Sequence, residues 1–64
     1  MIGKNQWNCQ VDKPTAEKYK EYFREHGIYF EPSSAYDMVY ILFYVNDEEL
    51  QAFENWIEGA VMNA

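Results

Sequence analysis

The chain has 64 residues, a single cysteine, a single histidine, twelve aromatic residues and a net charge of −6. One cysteine excludes an internal disulfide, and one cysteine plus one histidine cannot supply the roughly four ligands of a structural zinc site. A chain this short buries only about 60% of its unfolded surface, so its stability has to come from dense packing or self-association.

The first periodic segment, Gln6-Trp7-Asn8-Cys9-Gln10-Val11, alternates polar and apolar residues. It predicts a strand with Trp7, Cys9 and Val11 on one face and Gln6, Asn8 and Gln10 on the other. Asp12-Lys13-Pro14 ends it, and Pro14 suits the first turn of a helix, where an N–H would have no intrahelical partner. Across residues 15–26, Tyr19, Tyr22, Phe23 and His26 recur at spacings of three and four, while Lys18, Lys20, Glu21, Arg24 and Glu25 take the other side. This predicts an amphipathic helix closed by Gly27. Residues 28–31 predict a short strand that ends at Pro32. Residues 36–45, rich in β-branched and aromatic side chains, predict the longest strand, reached through a hairpin loop of about five residues. Asn46 or Asp47 caps a second helix, whose first-turn carboxylates suit the positive end of the helix dipole. Its buried stripe is Leu50, Phe53, Ile57, Ala60 and Val61, with Trp56 on the flank. Gly59 weakens the last turn, and the tail over residues 62–64 is expected to fray.

The order β-α-β-β-α predicts one α+β domain over residues 1–64, a two-layer arrangement with two helices on one face of a three-stranded sheet. The strand–helix–strand start implies a right-handed parallel crossover. In element order it resembles a ferredoxin-like fold without its last strand, a likeness that implies no function.

The longest strand is apolar on both faces. Val39, Ile41, Phe43 and Val45 alternate with Tyr36, Met38, Tyr40, Leu42 and Tyr44. Assigning the β-branched set to the helices leaves Tyr40, Leu42, Tyr44, Met38 and Tyr29 on an open face beside Gln6, Asn8 and Gln10. Such a patch exceeds what a monomer usually exposes, and Tyr and Met with a polar border are the usual makings of a binding surface. It suits tyrosines packed in water, a homodimer across this face or edge to edge through the long strand, or a different protein.

Charge is divided along the chain. Residues 1–24 hold every lysine and arginine (Lys4, Lys13, Lys18, Lys20, Arg24) and carry +2, whereas residues 25–64 hold eight carboxylates, no lysine or arginine, and −8 with His26 neutral. A field of that sign attracts cationic surfaces and repels phosphate, so direct nucleic-acid binding is disfavoured. In the second helix Asp47, Gln51, Glu54 and Glu58 follow spacings of 4, 3 and 4, flanked by Glu48 and Asn55. Carboxylates about 6 Å apart on a helix face resemble a run of phosphates, as in DNA-mimic inhibitors. The bland reading is a solvated face that keeps the protein soluble.

No residue set predicts catalysis, cofactor binding or a metal site. Cys9 reads as a buried structural thiol and His26 as a helix-end residue facing the negative end of the dipole. Residues 46–49 lack the spacing of a calcium loop, and no Gly-rich phosphate loop is present. The start Met-Ile-Gly-Lys-Asn-Gln holds no apolar segment of the signal-peptide kind, and no window approaches 18 apolar residues. The chain therefore reads as a complete small cytoplasmic gene product that engages no membrane. The function expected is a non-enzymatic module that binds, and inhibits, a basic nucleic-acid-processing protein. Its contacts would be Asp47, Glu48, Glu54, Glu58, Glu31, Asp37, Tyr29, Tyr40 and Tyr44. Size and acidity are similar to those of phage-encoded inhibitors, including anti-restriction and anti-CRISPR proteins, which work in the host cytoplasm; no motif carries that likeness. The alternative is a self-associating structural protein that dimerises through the tyrosine face.

Overall fold

A computed structural model of the protein describes residues 3–62, with side-chain surroundings for residues 3–59. The elements are β1 (Asn5–Asp12), α1 (Lys13–Glu25), β2 (Phe30–Ala35), β3 (Met38–Val45) and α2 (Asp47–Trp56), which runs on as a π-helical turn over Ile57–Met62. This is the expected α+β order. The sheet runs β1-β3-β2, and both outer strands are antiparallel to β3. β1 and β2 are therefore parallel to each other, and α1 connects them across β3.

The helix ends follow from local chemistry. Asp12 is both the last residue of β1 and the N-cap of α1, its carboxylate accepting the Thr15 N–H at 3.0 Å. At the other end Gly27 takes φ +65°, a conformation that only glycine adopts without a steric cost. That lets Ile28 N–H reach the Phe23 carbonyl at 2.8 Å and Gly27 N–H the Arg24 carbonyl at 3.3 Å. Two otherwise orphaned carbonyls are thereby satisfied, and Ile28 is tucked under the helix it leaves. α2 begins with a reciprocal cap: Asn46 Oδ1 accepts the Glu49 N–H at 2.7 Å, and Glu49 Oε1 accepts the Asn46 N–H at 2.9 Å.

Both helices pack on one face of the sheet. Ala16, Tyr19, Tyr22 and Phe23 of α1, Phe53 of α2, Ile28, and Val39, Ile41, Phe43 and Val45 of β3 form the buried core. Phe23, Phe43 and Phe53 meet at its centre, with ring centroids 4.9–5.5 Å apart, in the range of favourable aromatic pairs. Leu50, Trp56 and Ile57 pack on its flank. The expected burial of Ala60 and Val61 and the frayed tail lie outside the described residues and side chains. His26 is exposed rather than part of the apolar stripe, and its ring lies 4.1 Å from that of Tyr22.

Three expectations are corrected. First, β2 does not stop at Pro32. It pairs with β3 from Phe30 to Ala35. The reason lies in the direction of the backbone. Tyr44 N–H bonds the Tyr29 carbonyl at 3.2 Å, so the polar groups of Tyr44 face β2. Alternation along an antiparallel ladder then turns Ile41 and Phe43 toward β1. Pro32, opposite Ile41, is an outward position on an edge strand, where proline removes no ladder bond. Second, the hairpin turn is only Tyr36-Asp37. Tyr36 leaves the long strand, takes φ +58° and is 99% exposed. Third, the longest strand is central, so both of its edges are occupied and it offers none for edge-to-edge dimerisation. Trp7 takes the same strand face as Cys9 and Val11, as expected, but is less covered than they are. It lies on the helix-bearing face, opposite Phe43, but is 43% exposed, because the helices leave the outer strand partly bare.

A bulky residue at positive φ carries a steric cost of about 1–2 kcal/mol. Tyr36→Gly is therefore expected to raise stability by about 0.5–1 kcal/mol after allowing for the greater unfolded-state entropy of glycine. Urea titration checks this; an unchanged or lower midpoint would show that the turn is not strained.

Candidate protein-interaction surface

Among the described residues no element covers the sheet face opposite the helices. Its rows, read across β1, β3 and β2, are Asn8–Leu42–Glu31, Gln10–Tyr40–Ser33 and Asp12–Met38–Ala35, with Gln6 beside Tyr44 at one end. Tyr29 lies just before β2 and completes that end. Its ring is 5.7 Å from that of Tyr44, and its hydroxyl donates to Glu31 Oε1 at 2.8 Å. The Glu31 carboxylate pushes the Tyr29 hydroxyl pKa above its ordinary value. Tyr29 and Tyr40 are 50% and 44% exposed, while Met38, Leu42 and Tyr44 are half-buried by their neighbours. The result is an apolar, hydroxyl-tipped strip with amides along one side and carboxylates at Asp12 and Glu31.

Of the residues singled out from sequence, Tyr29, Tyr40, Tyr44 and Glu31 are brought together on this face. Asp37 stands at the hairpin tip beside Tyr36. Asp47, Glu48 and Glu54 are exposed on α2 and Glu58 on the π-helical turn that continues it, in the layer on the other side of the sheet. The acidic helix and the tyrosine face are thus separate surfaces. Asp47 and Glu48 also serve α2 itself, as first-turn carboxylates at the positive end of its dipole. Sequence reasoning missed Tyr36. A fully exposed aromatic on a strained backbone is a functional candidate, and the signal available was its neighbour Asp37, a turn former.

Other chemistry is sparse. Burial raises the Cys9 pKa, offset in part by a hydrogen bond with the Ile41 backbone, so little thiolate exists at neutral pH. A cleft of about 220 Å³ is lined by Lys18, Glu21, Tyr22, Glu25 and Trp56, below the roughly 300–1,000 Å³ of small-molecule sites. Among the described residues no group of three or more His, Cys, Asp or Glu side chains is placed to hold a metal, and no helix is long and apolar enough to cross a membrane. The chain matches no protein-family model, no curated protein and no solved structure.

Ion pairs are formed by Lys4 with Glu49 and by Lys20 with Glu17. The first ties the entry to β1 to the start of α2. Lys4 above all, and then the Asn46 N–H, lower the Glu49 pKa. A lowered folded-state pKa adds stability that is present above the unfolded value and lost as pH falls through the folded one. Glu49→Gln should therefore lower the urea midpoint at pH 7, and the gap from the parent protein should close as pH drops through the carboxylate range. A gap that stays constant with pH would assign the effect to the cap rather than to the charge.

Proposed function

We propose that this protein acts by binding rather than by catalysis, as a small acidic module that docks on, and so inhibits, a protein with a basic surface of the kind that grips nucleic acid. The observation that carries the reading is the uncovered strip of Tyr29, Tyr40, Leu42, Met38 and Tyr44, on a chain with no lysine or arginine after Arg24. Aromatic anchors that present apolar area with few rotatable bonds are where binding energy concentrates. Glu31 and Asp12 on the strip and Asp37 at its tip select a cationic partner. The exposed carboxylates of α2 extend the negative field, which accelerates encounter with a basic surface and repels nucleic acid itself. An inhibitor of this type occupies the groove that phosphates would take, in the cytoplasm, or in the host cytoplasm if phage-encoded. Self-association across the same face is the competing reading.

The test is capture on the immobilised chain from cell lysate at low salt. A nucleic-acid-binding protein should be retained in stoichiometric amount. It should be released by excess duplex DNA or by about 1 M salt, where the Debye length is about 3 Å. The pair Tyr40→Glu and Tyr44→Glu should abolish capture without changing the mass of the free protein. Glu54→Lys with Glu58→Lys should slow association roughly tenfold while leaving dissociation nearly unchanged. Capture that resists both DNA and salt, or that survives the tyrosine substitutions, would contradict the proposal.

A further inference from the structure

The sheet has two outer edges, and they are built differently. The β2 edge is interrupted by Pro32, with Glu31 beside it, two of the devices that keep an edge from recruiting another strand. The β1 edge has neither. It is an eight-residue strand without proline, paired with β3 in unbroken register from Asn5 to Asp12, and it is uncharged from Asn5 to Val11. Because Ile41 and Phe43 turn their polar groups toward Cys9 and Trp7, the N–H and C=O groups of Gln6, Asn8 and Gln10 point away from the sheet. Beside them is Trp7, a large aromatic 43% exposed on the helix-bearing face.

We infer that this edge pairs with the same edge of a second copy, antiparallel about a two-fold axis through Asn8, to make one continuous sheet. The inference does not rest on the partner proposed above. An axis perpendicular to the sheet keeps both helix layers on one side and pairs only residues of the same face. Centred on Asn8, it sets Asn8 against Asn8 of the second copy, Gln6 against Gln10, Trp7 against Cys9 and Asn5 against Val11. The outward-pointing residues face one another and exchange both of their backbone hydrogen bonds. The exposed Trp7 ring gains a half-buried neighbour. Lys4, paired with Glu49, and Asp12, which caps α1, lie at the two ends of an uncharged centre, and no like charges are apposed. A neutral edge that pairs with itself without apposing like charges, on copies that each carry −6, and that covers the exposed Trp7 is what fits it to a second copy. Pairing would also join the two tyrosine faces into one.

The mass of the protein by sedimentation equilibrium tests this, with circular dichroism to follow the fold. The parent protein should approach twice its 7.7 kDa chain mass as concentration rises. The association should strengthen with salt, because each copy carries −6 and screening weakens their mutual repulsion; capture of a basic partner has the opposite salt dependence. Asn8→Pro should give a folded monomer, since it removes only an outward N–H, as Pro32 does on the other edge. Should that variant unfold, the exposed pair Gln6 and Gln10 decides the matter. Gln6→Lys with Gln10→Lys apposes like charges and should give monomers, whereas Gln6→Lys with Gln10→Glu should restore the dimer. A parent protein that stays monomeric overturns the inference, as does a dimer that persists in folded Asn8→Pro or is indifferent to the Gln6 and Gln10 charges. A monomer that instead binds an added extended peptide along β1 would assign the edge to another protein.

Discussion

β3 is apolar on both of its faces, and the described residues form only two helices with which to cover it. That mismatch organises the rest of the molecule. A strand of this kind is most stable in the middle of the sheet, with β1 and β2 shielding its backbone on both sides. The β-branched residues and Phe43 turn toward the helices and join the Phe23–Phe43–Phe53 cluster. Tyr40, Leu42, Tyr44 and Met38 are then left on the other side with no layer above them. Hydroxyl-tipped aromatics tolerate that exposure, since one end of each ring system is apolar and the other wet. The surface proposed above to contact a partner is thus a direct consequence of the packing that makes the fold.

The small core has to be held by means other than covalent links. Each aromatic ring contributes roughly 150–250 Å² of burial, which concentrates apolar area in few residues. Around that centre, the Asp12 cap, the Gly27 terminus and the Asn46–Glu49 reciprocal cap satisfy helix ends that would otherwise compete with the fold for water. The Lys4–Glu49 pair anchors the start of β1 to the helix layer. Acid concentrated on the exposed side of α2 costs a few tenths of a kcal/mol per like-charged i,i+4 pair.

Much of this was legible in the sequence, for reasons that differ by element. Period two over residues 6–11 and the 3–4 spacing of Tyr19, Tyr22 and Phe23 are one-dimensional records of a half-buried strand and helix. The two-sided apolar pattern of residues 38–45 foretold an uncovered face, and its tyrosines are where they were expected. Pro32 misled because a proline that breaks a central strand is harmless at an outward edge position, and which edge it occupies depends on strand order. Tyr36 misled because a β-former can be forced into a turn by the register of its neighbours. The separation of Glu54 and Glu58 from Tyr40 and Tyr44 could not be read locally, since it depends on which side of the sheet α2 packs.

The claim on which the rest depends is that a central β3 leaves the outer side of β1 and one face of the sheet bare. Amide hydrogen exchange along β1 in dilute solution tests it most directly. The account predicts alternation: Trp7 and Cys9, bonded to β3, exchange slowly, while Gln6, Asn8 and Gln10, pointing outward, exchange near the rate of an unprotected amide. Uniform protection along β1 in a dilute monomer would mean that its outer edge is already covered, and uniform fast exchange would mean that β1 is not paired with β3; either would contradict the account.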